Sequence, residues 1–169
     1  RPRVHARALT AEEVATLARL GAPPPQPSPD GGGSVLGDWD FAAGRNGTFP
    51  NRAVPTLPAK AVGEVAVVDS PHGKAVQLTG KGYVEIADDP KLDLTLACTM
   101  EAWVCPQALP PMGARILDKT SVGGSDGYLL DTCPGHSLRL ICERGSIGFD
   151  AKLPVGQWSH VAATIAGDG

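Results

Sequence analysis

The feature that most restricts this chain is a succession of short segments with a period of two residues. Val35, Gly37, Trp39 and Phe41 alternate with Leu36, Asp38 and Asp40. Further strand-like runs follow at 64–69, 74–79, 82–87, 98–105, 114–118, 127–133, 137–143, 146–150 and 158–165, with Gly, Pro, Asp or Asn in nearly every gap. A period of two places alternate side chains on opposite faces of a strand. Many such strands separated by turn residues predict an antiparallel sandwich or barrel. No helical interval separates them, which excludes a βαβ sheet and leaves an all-β class.

The 169 residues suffice for one domain of ordinary size, yet the composition changes sharply near the start. Gly21 to Ser34 reads GAPPPQPSPDGGGS, and nine of its fourteen positions are Gly or Pro. Such a stretch sustains neither helix nor central strand and has linker chemistry. It divides the chain into residues 1–20, a Pro/Gly-rich linker at 21–34, and residues 35–169. Before the linker, Thr10 and Glu13 form a T-x-x-E capping box, and Leu9 with Val14 offers a hydrophobic staple. Gly21 and Pro23 stop the helix. A helix of about three turns is marginal in water without a partner, and no partner is evident in the sequence. At the other end, Asp168-Gly169 is a hairpin turn signal without a returning strand. The expectation is a sandwich incomplete at its C-terminus, the alternative being a frayed tail.

Several segments taken together resemble the laminin-G-like jelly-roll domains of the concanavalin A-like lectin/glucanase superfamily. They are Gly37-Asp-Trp-Asp-Phe41, Gly73-Lys-Ala-Val-Gln-Leu78, Tyr83-Val-Glu-Ile86 with Leu92-Asp-Leu94, Thr99-Met-Glu-Ala-Trp-Val104, and Gly156-Gln-Trp-Ser-His-Val161 with Ala162-Ala-Thr164. The resemblance covers about residues 35–169 and implies an antiparallel jelly-roll β-sandwich, here preceded by a short helix. Val4 to Val14 is similar to the segment with which such domains close. The resemblance therefore implies that residues 1–20 are the tail of a preceding module, or else a helical lead-in, and that 35–169 is most of the next.

Charge narrows the function. A net charge of −3 gives no basic footprint for nucleic acid, and no apolar run approaches the roughly 18 residues of a bilayer span. Gly123-Gly-Ser-Asp-Gly127 fits G-x-S-x-G by letter. A strand-like Tyr128-Leu-Leu130 follows where a nucleophile elbow needs a helix, so Ser125 is expected in a hairpin loop. The superfamily contains glycosidases, which need paired carboxylates about 5–5.5 Å apart for retaining hydrolysis. Glu64, Glu85, Glu101 and Glu143 show no such pattern. Glu101 is expected to be a surface or hydrogen-bonded structural residue, and the chain to be non-catalytic.

Four cysteines allow three pairings. Cys98 and Cys105 lie on one strand, more than about 20 Å apart, and cannot bridge each other. Cys133 and Cys142 flank a turn at 134–137, too far along the ladder for a bond. Cross-pairings such as Cys98 with Cys142 stay open beside free, buried thiols. No zinc spacing occurs. Relatives often bind calcium, and Asp38, Asp40, Asp88 and Asp89 are the candidate ligands here; solvated strand-end acids are the competing reading. The family's usual acidic position after the first Phe is missing, since Ala42 and Ala43 follow Phe41. Asn46-Gly-Thr48 is a glycosylation sequon in a eukaryotic secretory setting. Trp39, Phe41, Trp103 and Trp158 are expected in the core, and His5, His72, His136 and His160 as isolated residues.

The sum is a non-catalytic, lectin-like accessory module of a larger modular extracellular, periplasmic or cell-envelope protein. Its expected partners are a polysaccharide or glycoprotein glycan and the adjacent modules of its chain, without nucleic acid or membrane insertion. No cofactor is expected beyond the calcium just considered. The alternatives are a structural or protein-adhesion spacer and an ancillary domain of a polysaccharide-degrading enzyme.

Overall fold

The computed structural model describes residues 2–20, 35–94, 97–121, 127–133 and 137–166. In chain order the strands are β1 (Arg3–His5), β2 (Val35–Asp38), β3 (Thr48–Phe49), β4 (Ala59–Ser70), β5 (Gly73–Ile86), β6 (Cys98–Val104), β7 (Arg115–Thr120), β8 (Gly127–Asp131), β9 (Ser137–Cys142), β10 (Gly145–Lys152) and β11 (Ser159–Ile165). A helix, α1 (Ala11–Leu20), follows β1. The strands form three antiparallel sheets, ordered β11-β6-β1-β2, β10-β9-β8-β7 and β3-β4-β5. This is the all-β, β-sandwich architecture that the alternation predicts.

Alternation explains how the core is filled. Val4, Met100, Ala102 and Val161 come from the first sheet, and Tyr128, Leu130 and Leu140 from the second. Phe49 and Ala59 add the base of the third. Trp39 and Phe41 follow β2 and are buried in the same cluster; Phe41 meets Phe49 edge-on at 5.0 Å. Trp39 also donates its indole N–H to the Leu57 carbonyl at 3.0 Å, the partner that a buried indole requires. Cys98 faces inward, fully buried, and desolvation pushes its thiol up to about 11. Cys142 lies opposite Tyr128 of β8, well along the ladder from Cys133. All four cysteines are unbridged.

Two features depart from the sequence reading. The runs at 74–79 and 82–87 are a single strand, β5, which continues through Gly80 at φ +87°. Paired with β4, it makes a long hairpin bulged at Gly63. Gly63 has φ +72°, and a Cβ there would stand 2.3 Å from the Lys81 carbonyl, so only glycine fits. More consequentially, β1 is an interior strand. It pairs Val4 with Met100 of β6 on one side and with Gly37 of β2 on the other. Residues 3–5 thus belong to the sheet that 35–38, 98–104 and 159–165 build, whichever module they are counted with.

The helix follows its local code. The Thr10 hydroxyl accepts from Glu13 N at 3.2 Å, and the Glu13 carboxylate accepts from Thr10 N at 2.8 Å. The Arg7 guanidinium adds two bonds of 2.6 and 3.0 Å, and with the Thr10 amide it holds the Glu13 carboxyl at about 2. The chain also supplies the support missing from the sequence reading: Leu9 and Leu17 are buried, and α1 borders Ala162 and Thr164 of β11. The linker at 21–34, Ser125, His136 and the turn at Asp168-Gly169 lie outside the described residues.

Candidate functional site on the outer face of the four-stranded sheet

Because Met100 and Ala102 point into the core, Thr99, Glu101 and Trp103 must point to the opposite, outer face of β6. Register then decides their neighbours. Glu101 lies between Arg3 of β1 and Ala162 of β11, Thr99 between His5 and Thr164, and Trp103 beside His160. The outer face therefore carries a row of chemistry that no short stretch of sequence contains.

Glu101 is the centre of that row and is 1% exposed. Oε1 accepts from Arg3 Nη1 at 3.0 Å and stands 3.5 Å from His5 Nε2, while Oε2 is 3.0 Å from His160 Nε2. Asp38, fully buried, approaches Arg3 Nε at 3.5 Å. Burial by itself would raise the Glu101 pKa. The contacts with His160 and His5 and the charge of Arg3 outweigh it, and the carboxyl lies well below the usual carboxylate range. Glu101 is thus a hydrogen-bonded structural residue facing Arg3, His5 and His160, with Asp38 on the far side of the Arg3 guanidinium.

Thr99 completes the polar part of the face. Its hydroxyl donates to the Arg7 carbonyl at 2.9 Å and accepts from Leu9 N at 2.9 Å. With its one proton so placed, its contact of 3.1 Å with Thr164 makes the Thr164 hydroxyl the donor. This single buried side chain ties the segment between β1 and α1 to the sheet.

The direction of the Glu101 shift gives a pH prediction. A carboxyl depressed in the folded state stabilises the fold fully above its unfolded value, about 4.3. That contribution is lost as pH falls below it toward the folded value. Thermal melts followed by circular dichroism should show the midpoint falling between about pH 4.5 and pH 2, with Glu101→Gln flattening the decline. An equally steep decline in that variant would refute the assignment.

Farther along β6, the face becomes aromatic. His72, at the tip of the β4–β5 hairpin, stacks on Trp103 with centroids 3.6 Å apart and planes 19° from parallel. Trp158 meets His72 edge-on at 6.0 Å, and His160 lies 5.3 Å from Trp103. Burial against this cluster lowers the His72 pKa. The expectation of a core position thus fails for Trp103 and Trp158. Both are half-buried outside the core cluster, because Trp103 shares the parity of Glu101 and not that of Met100. The three described histidines are not isolated either: His5 and His160 meet at Glu101, and His72 and His160 at Trp103. The parity of the Thr99–Trp103 run carries this information only once β11 and β1 are known to flank it.

The four acidic candidates for calcium each have other partners. Asp38 faces Arg3. Asp40 caps the turn at Phe41–Ala43 through Ala42 N at 2.9 Å and pairs with Arg52. Asp88 pairs with Lys119 at 2.7 Å, which lowers its pKa. Asp89 accepts from Lys91 N at 2.9 Å. Among the described residues, no three His, Cys, Asp or Glu side chains converge as a metal-holding group.

Comparison with known proteins gives one result. Residues 78–169, more than half of the chain, match a laminin-G-like family model described as the concanavalin A-like lectin/glucanases superfamily. No curated protein and no solved structure shows a significant match.

Proposed function

The chain belongs to the concanavalin A-like lectin/glucanase superfamily, and on that premise we propose that it is a non-catalytic module that binds glycan through the face bearing Trp103, Trp158 and His72. The observation that carries this reading is the aromatic cluster. Two half-exposed indoles and an imidazole gather on one face, with the polar His160 beside them. Apolar aromatic surface next to a few oriented polar groups is the composition of a small-ligand site. The edge of the Trp158 ring and the outer rim of the stack would take the apolar face of a sugar ring. Glu101 and Asp38 are both buried and both face Arg3, so neither is presented to a bound sugar as acid or nucleophile. In this reading the module serves a larger extracellular, periplasmic or envelope protein, and calcium is a condition to vary.

The test is retention of the protein on a panel of polysaccharides and a glycan array, with calcium and with a chelator. Retention should be seen, and Trp158→Ala should weaken it by about 1 kcal/mol, roughly fivefold. No retention under either condition would sink the reading.

One observation favours the spacer or adhesion alternative. On the edge strand β10, Ile147 and Phe149 are 69% and 66% exposed. An apolar strand edge of this kind suits a protein neighbour. Failure on every saccharide together with loss of a protein contact in Phe149→Ser would support it. An ancillary role in a polysaccharide-degrading enzyme predicts saccharide binding without turnover, and reducing-end release by the protein alone would count against it.

A further inference from the structure

The geometry points to β1 as an exchangeable strand, and to the slot it fills between β2 and β6 as a docking site for the same segment of a second copy of this chain. The slot has a readable specificity. On its outer side, Glu101 and Asp38 are 1% and 0% exposed and call for a cation at the position of Arg3. On its inner side, Met100 calls for an apolar residue at the position of Val4. Beside Thr99 and Glu101 the site takes His5. The sequence Arg3-Val4-His5 is the complement, and every copy of the chain carries it.

An empty slot is costly. It would leave two carboxylates without their guanidinium, and the facing edges of β2 and β6 without ladder partners. The slot is therefore filled, and the question is by which chain. The contacts of β1 with it, and those of Arg7 and Leu9 just after β1 with Thr99, are non-covalent and would be the same in trans. The helix following β1 borders β11, at the opposite edge of the sheet from β2. Three strand spacings, about 14 Å, separate those edges. Fourteen residues of Gly- and Pro-rich chain, Gly21 to Ser34, reach on the order of 20–40 Å. That reach permits closure on the chain's own slot and on a neighbour's. Exchange between two copies uses both strands and both slots, so it closes as a symmetric dimer. Linker reach and protein concentration together set the balance.

Two experiments decide the matter. Deleting residues 21–34 joins Leu20 to Val35 through one peptide, about 3.8 Å, which cannot cross the sheet. The deleted chain should be dimeric in size-exclusion chromatography and native mass spectrometry, with β6 amides protected from hydrogen exchange as in the full chain. A deleted chain that remains monomeric up to about 100 µM overturns the proposal. The second experiment uses charge reversal in the full chain. Arg3→Glu sets carboxylate against carboxylate, and Glu101→Arg sets guanidinium against guanidinium. Each variant alone should lose β6 protection, while refolding the two together should restore it in a one-to-one heterodimer. Recovery of protection without a heterodimer would also overturn the proposal. Neither experiment involves a saccharide, so glycan binding and strand exchange stand or fall separately.

Discussion

Glu101→Ala is expected to destabilise the protein by about 3–5 kcal/mol, the cost of breaking a buried ion network by removing one partner. The substitution leaves Arg3 and His5, 5% and 1% exposed, without the carboxylate that both approach. Asp38 still faces Arg3 at 3.5 Å and tempers the loss. Natural domains have only about 5–15 kcal/mol of stability in total, so this one change consumes a large part of it. Urea unfolding followed by tryptophan fluorescence would measure the effect. Glu101→Gln keeps the volume and one acceptor, and should cost less while shifting the midpoint in the same direction. A loss below about 1 kcal/mol for the alanine variant would place Glu101 among surface ion pairs and contradict the geometry.

The second large effect separates the tryptophans. Trp39→Ala should cost about 3–5 kcal/mol, as large-to-small changes of buried aromatic residues do. The ring is 2% exposed, packs so closely on Gly37 that a Cβ there would lie 2.3 Å from it, and supplies the hydrogen bond to the Leu57 carbonyl. Losing that donor adds an unsatisfied carbonyl to the cavity. Trp158→Ala, on the half-exposed outer face, should cost no more than about 1.5 kcal/mol, while reducing saccharide retention. Equal losses in both variants would remove the distinction between a core indole and a site indole. Chemical denaturation of the two variants side by side gives the answer.

What could be read without the fold was what depends on neighbours in sequence. The capping box at Thr10 and Glu13 is local, and its hydrogen bonds form as the spacing demands. The alternation in Thr99–Val104 and Ser159–Ile165 is also local, and it fixes that Glu101 and Trp103 share a face. Strand β1 escaped notice because three residues have no periodicity to read, and Arg-Val-His looks like any polar segment. The face of Trp103 escaped for a different reason. Alternation says which residues go together, not which side is covered.

The candidate site was therefore legible only as separate pieces. His5, His72, Glu101 and His160 come from four parts of the chain, and no spacing rule connects them. Strand order connects them. With β1 and β11 on either side of β6, Thr99 and Glu101 each acquire two cross-strand neighbours about 5 Å away, and Trp103 acquires His160. Sequence by itself determined the all-β class, the superfamily and the cap of the helix, because period, turn chemistry and capping act over a few residues. Only the tertiary structure decided that Arg3–His5 is an interior strand and that a buried carboxylate meets one arginine and two histidines. Those contacts are chosen by sheet order and register, and a buried charge survives only where that order brings its partners to it.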